Sequence, residues 1–316
     1  MWPTTQSSAN PTEHAGRGLL DRRLVFLLGK GGVGRSTLAA ALGLLAARRG
    51  RRAIVVEVSG RGDVPRLFAR TGEPGVESEL APGLWTLDVD PRQALEEYLR
   101  DQLPLRVIAD AIGSSATFGY VAAATPGLRE LLTIGKIWEL AQPQRRTRNA
   151  QAYDVVVVDA PATGHGLALL EAPRTFANAA QVGPIARQGR RIAVTLRDRS
   201  VTALVAVATP EPAAVDELLE LRAALGQLDA VLANAVAPAR FSAADATALR
   251  EAHARAGLAP ATRHALTVAI AAEAQARAEQ LQLARLGPRV ELPFVTASQL
   301  SVTELEALAD RLVAAA

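Results

Sequence analysis

A glycine-rich stretch that joins an apolar run to a helical pattern constrains this 316-residue chain more than any other feature. Its glycines let the backbone wrap closely around a polyphosphate, with several N–H groups turned inward. The helix that follows adds a favourable dipole at its N-terminus for the same anion. The stretch therefore predicts a nucleotide site, made by Gly29, Lys30, Gly31, Gly32, Val33, Gly34, Arg35, Ser36 and Thr37.

Two positions in this loop bear directly on its chemistry. Ser36 is placed to put its hydroxyl on Mg²⁺, so the predicted ligand is a nucleotide with bound Mg²⁺. Arg35 stands where a phosphate loop normally has a lysine that reaches the β- and γ-phosphates. Arginine is longer, planar and forked, so the exchange changes the charge presented to the phosphates. Either the exchange is harmless in an arginine-rich chain, or position 35 no longer needs what a lysine provides.

Short apolar strands alternate with helices along most of the chain. This alternation predicts an α/β fold with a mostly parallel central sheet flanked by helices. Residues 1–20 are expected to form a disordered leader, and residues 21–316 a single nucleotide-binding domain with a helical subdomain at about 91–142. The predicted strands are 24–28, 53–58, 84–89, 155–158, 204–208, 230–236 and 290–295.

The β-branched run Val155–Val158 predicts a central strand, and Asp159 ends it. The carboxyl end of this strand should lie beside the glycine-rich loop, where Asp159 could hold Mg²⁺ through water. Residues 161–166 follow as a flexible polar turn that could sense the γ-phosphate. Within it, His165 is either a switch residue or a cap of the next helix.

Composition excludes several kinds of site. The chain has no cysteine, which rules out disulfides, thiolate metal sites and a cysteine nucleophile. The net charge is +3, and the arginine clusters lack interleaved aromatic residues, so nucleic-acid binding is disfavoured while peripheral membrane contact stays open. Because no apolar run approaches a membrane span or a signal peptide, we expect a cytoplasmic protein.

These motifs resemble those of the ArsA-like ATPases, a family that includes arsenite-pump ATPases and the ATPase that targets tail-anchored membrane proteins. The glycine-rich loop is similar to the family's deviant phosphate loop, and Asp159–Pro173 resembles its second switch. The resemblance covers roughly residues 22–315. It implies a phosphate-loop NTPase fold, ATP and Mg²⁺ as cofactors, and a dimer, formed either with a second copy or with a paralogous ATPase.

The resemblance also implies roles for single residues. Lys30 would reach across the dimer to the partner's nucleotide, Asn234 would contact adenine, and Pro293 would flank it. The family's first switch carries an aspartate that orients the attacking water. Ungapped placement puts Ser59 at this position, and a gapped placement offers Glu57. Serine cannot serve as that carboxylate.

Losing both the loop lysine and the water-orienting acid removes two separate contributions to phosphoryl transfer. Each commonly contributes about 3–4 kcal/mol, so weakened hydrolysis is expected. The cysteines with which the family binds arsenite or zinc are missing, so neither ligand is expected.

Three functions remain open from sequence. The first is an ATP-dependent dimeric switch ATPase with weakened hydrolysis, handling a membrane protein or another apolar client. The second is a non-hydrolysing regulatory subunit of a heterodimer with an intact paralogue. The third is a partition-type ATPase associated with DNA. The helical insertion and the segment Asp159–His165 favour the first two, and the apolar stretch Leu128–Leu140 is either a buried helix or part of a client groove.

Overall fold

A computed structural model describes residues 18–58, 60–102, 127–146, 150–180, 182–297 and 299–313 of the chain. Helices and strands alternate, which confirms the predicted α/β class. A 3-10 turn at Leu19–Asp21 precedes the first strand. The elements are β1 Leu24–Leu28, α1 Arg35–Arg48, β2 Ala53–Glu57, α2 Asp63–Leu67, β3 Ser78–Ala81, β4 Leu84–Asp88, α3 Pro91–Gln102, α4 Leu128–Leu140, β5 Val155–Asp159, α5 Thr163–Ala180, α6 Pro184–Arg197, β6 Thr202–Ala208, α7 Pro212–Leu225, β7 Ala230–Val236, α8 Ala243–His253, α9 Pro260–Leu286, β8 Val290–Pro293 and α10 Val302–Leu312.

The eight strands form one sheet in the order β3-β4-β2-β5-β1-β6-β7-β8. Each pair of neighbours is parallel except β3 and β4. Strands β1, β2, β5 and β6 are buried along their whole length, because their continuous apolar runs are covered on both faces. The carboxyl ends of β5, β1 and β6 therefore meet at one edge of the sheet, beside the loop that follows β1.

Helix α1 packs unusually closely against the sheet. Its residues from Leu38 to Ala46 are all buried, so the helix is apolar on every side. A Cβ added at Gly43 would lie 2.5 Å from Val55 Cγ2 and 2.9 Å from Leu84 Cδ1. The absence of a side chain at Gly43 thus lets the helix that follows the glycine-rich loop rest directly on β2 and β4.

The helical insertion is described through α3 and α4, while residues 103–126 lie outside the described residues. Ile134, Ile137 and Leu140 of α4 are buried in the core, which confirms the buried-helix interpretation for that face of the helix. A client groove at Leu128–Leu140 stays a prediction.

Arg145 anchors this insertion to the edge of the sheet. Its side chain is 1% exposed and pairs with Glu77 (2.6 Å) and Glu139 (2.9 Å), while the Tyr153 hydroxyl donates to Glu77 (2.7 Å). Burial opposes the charged form, but the two carboxylates outweigh it and raise the pKa of Arg145. This arginine is therefore a structural cation of the interior.

The structure corrects the predicted elements in several places, among them the start of β6, which lies at Thr202 and not at residue 204. Leu19 and Leu20 are buried, so the leader predicted for residues 1–20 extends too far, and residues 1–17 lie outside the described residues. Strand β3 is absent from the predicted strands, because a four-residue edge strand with only Leu80 buried carries little apolar signal. Strand β8 ends at Pro293, two residues before the predicted boundary. No helix among the described residues is long and apolar enough to cross a membrane.

Two glycine substitutions in helices should have opposite effects on stability. We expect Gly43→Ala to lower the free energy of unfolding by about 1–3 kcal/mol, because its methyl group would overlap Val55 and Leu84. Gly135→Ala in α4 is the matched control, since a Cβ there meets no atom within 4 Å. It should raise the free energy of unfolding by about 0.5–1 kcal/mol. Urea denaturation measures both, and equal shifts for the two variants would contradict the close packing of α1.

Candidate nucleotide-binding site

The loop between β1 and α1 requires glycine at its two ends for steric reasons. A Cβ at Gly29 would lie 2.2 Å from the carbonyl oxygen of Val207, at the end of β6. A Cβ at Gly34 would lie 2.2 Å from Asn234 Nδ2 on β7, and Gly34 also has a left-handed φ of 87°. The loop is therefore pressed against the ends of β6 and β7, and only a bare backbone fits there.

The start of α1 offers donors to an anion. The Leu38 N–H donates to the Gly34 carbonyl (3.0 Å), which is the first hydrogen bond of the helix. The N–H groups of Arg35, Ser36 and Thr37 consequently have no acceptor within the helix. Together with the exposed glycines Gly31 and Gly32, they form a surface of the kind that binds phosphate at a helix N-terminus.

Asp159 lies beside this loop, as predicted. Parallel pairing places it opposite Leu27 of β1 and Glu57 of β2. The Ser36 hydroxyl donates to Asp159 Oδ2 at 2.5 Å, although the two residues are 123 positions apart. The predicted metal-binding pair is thus brought together by the sheet.

The carboxylate of Asp159 is incompletely satisfied. The residue is 4% exposed, and its Oδ1 accepts no hydrogen bond from any residue that the structure describes. Burial raises the pKa of Asp159, while the Ser36 hydroxyl and the Arg35 guanidinium oppose that shift. An unpaired buried carboxylate oxygen next to a hydroxyl is an oxygen donor set that Mg²⁺ prefers. The residues present therefore fit the metal that the loop implies.

Arg35 folds back across the loop. Its Nη1 donates to the carbonyl oxygens of Gly29 (2.6 Å) and Pro161 (2.8 Å), and its Nε lies 3.8 Å from Asp159 Oδ1. The side chain is 13% exposed, and burial lowers the pKa of Arg35 although Asp159 opposes the effect. The arginine therefore joins the loop to the segment that follows β5.

Residues 161–166, which follow β5, were predicted to form a flexible turn, and the structure differs. Helix α5 begins at Thr163, and the Gly166 N–H donates to the Ala162 carbonyl at 3.0 Å, so residues 163–166 are helical and the predicted flexible turn is wrong there. His165 is exposed within the first turn of the helix, so it is not a cap, and its role as a switch residue stays a prediction.

Thr163 is a polar residue that sequence reasoning missed. It is buried, and its Oγ1 has no hydrogen-bond partner in the described part of the chain. Buried hydroxyls are nearly always bonded, so such an exception marks a place where a ligand, a water or a rearrangement supplies the partner. The sequence offered little to single out Thr163 as a site residue, except that it lies four positions after Asp159.

The Glu57 carboxyl accepts hydrogen bonds from the backbone at the start of α2. Its side chain is 1% exposed, and Oε1 accepts from the N–H groups of Asp63 (2.8 Å) and Val64 (3.1 Å) at the start of α2. Burial raises its pKa from 4.5 to about 7, against those two hydrogen bonds and with help from Asp88 and Asp159. The alternative candidate, Ser59, lies outside the described residues.

The remaining predicted site residues are Lys30, Asn234 and Pro293. Lys30 is partly exposed and makes no hydrogen bond or ion pair with any described residue, so its amine is available to a ligand or a second chain. The Asn234 amide donates to the Val33 carbonyl at 2.9 Å. Pro293 lies on the next strand, exposed and paired with Val236, and the exposed Phe294 follows it. A role for Asn234 or Pro293 in adenine binding stays a prediction.

Comparison with known proteins adds to this geometry. The sequence model of the family described as anion-transporting ATPase matches residues 22–182, from β1 through α5. The ATPase BagA of Mycobacterium tuberculosis is 30% identical, with 94% of each chain covered. The arsenical pump-driving ATPase of Escherichia coli is 29% identical over 71% of this chain and 41% of its own length. The ATPase GET3 of Chaetomium globosum is 25% identical over 60% of this chain and 52% of its own.

Glu57 should make stability depend on pH. Between pH 4.5 and about 7 the unfolded carboxyl ionises while the folded one keeps its proton, so the free energy of unfolding falls as pH rises. Glu57→Gln keeps an oxygen acceptor and removes the charge. We expect it to match the native chain at pH 4 and to exceed its free energy of unfolding by about 2–3 kcal/mol at pH 8. Denaturant titrations at both pH values measure this, with the exposed Glu79→Gln as control. A pH-independent difference would contradict the assignment.

Proposed function

This chain belongs to the anion-transporting (ArsA) ATPase family, and we propose that it is a dimeric switch ATPase that binds ATP with Mg²⁺ and hydrolyses it slowly. The observation that supports this most is the contact between Ser36 and Asp159 beside the glycine-rich loop, with one carboxylate oxygen that accepts no hydrogen bond from the described residues. Such a pair at the carboxyl edge of a parallel sheet is the arrangement that holds the metal of a bound nucleotide.

Different residues would bind the phosphates, the Mg²⁺ and the base of the nucleotide. The free N–H groups at the start of α1 and the exposed glycines of the loop would bind the phosphates, since backbone donors there are already oriented. Ser36 and Asp159 would hold Mg²⁺, which supplies positive charge to the phosphate oxygens. Asn234 lies against the loop on the β7 side, where it would orient the base.

Slow hydrolysis is proposed from the state of two side chains. Arg35 offers its Nη1 to backbone carbonyls, and a planar guanidinium cannot reproduce the compact charge of the usual lysine. The Oε1 atom of Glu57 already accepts two backbone hydrogen bonds at the start of α2, so this oxygen is not free to orient an attacking water. Each deficiency removes charge stabilisation or positioning from the transition state.

A dimer is proposed because Lys30 is partly exposed beside the loop and has no hydrogen-bond or ion-pair partner among the described residues. In a homodimer, or in a heterodimer with an intact paralogue, this ammonium would reach the phosphates held by the other subunit. An apolar client, a membrane protein or another, is proposed from the family and from Leu131 and Leu132 of α4, which are partly exposed. Arsenite is not proposed as substrate, since the chain has no thiolate to bind it.

Phosphate release from Mg²⁺-ATP tests the proposed activity. We expect slow turnover by the native chain, loss of turnover in Asp159→Ala, and an increase of about tenfold or more in Arg35→Lys, because the lysine restores a compact charge at the phosphates. Arg49→Lys, at the exposed far end of α1, is the matched control and should leave the rate unchanged.

The pattern of rates separates the two main alternatives. No turnover by the native chain, with activity restored by Arg35→Lys, favours the non-hydrolysing subunit of a heterodimer. Fast turnover that Arg35→Lys reduces would contradict the proposed weak hydrolysis, because Arg35 would then be a competent catalytic group.

Nucleotide-dependent dimerisation tests the role of Lys30. We expect the mass measured by light scattering to double when Mg²⁺ and a non-hydrolysable ATP analogue are added, and Lys30→Ala to weaken that change, since it removes the cation that spans the interface. Arg49→Ala, at the exposed far end of α1, should dimerise like the native chain. A native chain that stays monomeric with bound analogue would rule out the homodimer.

A further inference from the structure

The guanidinium of Arg35 connects two segments that border the candidate nucleotide site. One acceptor is the Gly29 carbonyl at the first residue of the loop, and the other is the Pro161 carbonyl, two residues before α5. Both bonds come from the same nitrogen, Nη1. Breaking these two bonds would remove the hydrogen-bonded link between the first residue of the loop and Pro161.

The positive charge of Arg35 has little negative charge close to it. Its hydrogen-bond acceptors are neutral carbonyls, and the nearest carboxylate oxygen, Asp159 Oδ1, is 3.8 Å from Nε, beyond hydrogen-bond distance. Nη2 makes no hydrogen bond to any described residue. A phosphate carries full negative charge and can accept two parallel hydrogen bonds from one guanidinium, which two separate neutral carbonyls cannot match. A phosphate in the loop would therefore outcompete the two carbonyls.

An unbonded buried hydroxyl at the start of α5 independently indicates that this segment could adopt a second conformation. Thr163 is buried with its hydroxyl unbonded, although it lies only two residues after Pro161. An unpaired buried hydroxyl costs about 1–3 kcal/mol, so a shift that bonds it would be favourable once the constraint on Pro161 is removed.

We propose that Arg35 is a phosphate-responsive positioning residue. In the nucleotide-free chain it holds Pro161 against the glycine-rich loop and so fixes the start of α5. When phosphate binds in the loop, the guanidinium exchanges its carbonyl partners for phosphate oxygens, and the start of α5 is released. The first half of this proposal concerns the nucleotide-free chain alone, whereas the release rests on the proposed nucleotide binding.

Amide hydrogen exchange of the full chain tests both halves. The reporter is the peptide that begins α5, where the Gly166 N–H makes the first bond within the helix. Without nucleotide, Arg35→Ala should exchange there about tenfold faster than the native chain, as expected for the loss of hydrogen bonds from a charged donor. Adding Mg²⁺ and a non-hydrolysable ATP analogue should speed the native chain by a similar factor and leave the variant unchanged.

Controls separate positioning from general loosening. Arg35→Met fills similar space without donors and should behave like Arg35→Ala, while Arg49→Ala, at the exposed end of the same helix, should exchange like the native chain. Amides of α8, a mostly exposed helix that makes none of the Arg35 contacts, exchange through local opening and should not change in any variant.

Two results would overturn the proposal. One is equal exchange at the start of α5 in the nucleotide-free native chain and both Arg35 variants. The other is slower exchange there when the analogue binds to the native chain. If calorimetry shows that the native chain binds no nucleotide, the proposed function fails, while the nucleotide-free comparison still decides whether Arg35 holds α5.

Discussion

The position of β1 between β5 and β6 is the constraint on which the rest of the site depends. Parallel pairing on both sides brings the ends of three strands to one point, and the chain leaves β1 there as a bare glycine loop. The Ser36–Asp159 hydrogen bond exists only because β5 pairs with β1 in this register. A shift of one residue would turn Asp159 to the other face of the sheet.

Around that point the described residues bury more polar atoms than they supply with hydrogen-bond partners. Asp159 keeps an unpaired carboxylate oxygen, Thr163 an unpaired hydroxyl, and Arg35 a guanidinium paired mainly with neutral carbonyls. Elsewhere the interior pairs opposite charges more closely, as where Arg145 is enclosed by two carboxylates, although Glu139 Oε2 also lacks a hydrogen bond to any described residue. At the loop, by contrast, the guanidinium of Arg35 bonds to neutral carbonyls only, as expected of a site that receives a charged ligand.

Much of the fold followed from local patterns. Strands such as β1 and β7 were predicted at their observed boundaries because a continuous apolar run between turn residues is a strong signal. The edge strand β3 was missed because it is short and mostly polar. The start of α5 was taken for a turn because proline and glycine dominate residues 161–166, yet tertiary packing keeps them helical from Thr163.

The sequence by itself determined the fold class, the loop that can surround a phosphate, and the residue types at its rim, because these depend on neighbours along the chain. Only the tertiary structure decided what those residues do to one another. Arg35 and Pro161 are 126 positions apart, and nothing local shows that a guanidinium in the loop would find a carbonyl beyond β5. Likewise, Glu57 looked like a candidate carboxylate, and only its burial against the N–H groups of α2 showed that an oxygen is already engaged. The physical reason is that hydrogen-bond geometry and desolvation are set by packing across the sheet, and residue order does not encode either one locally.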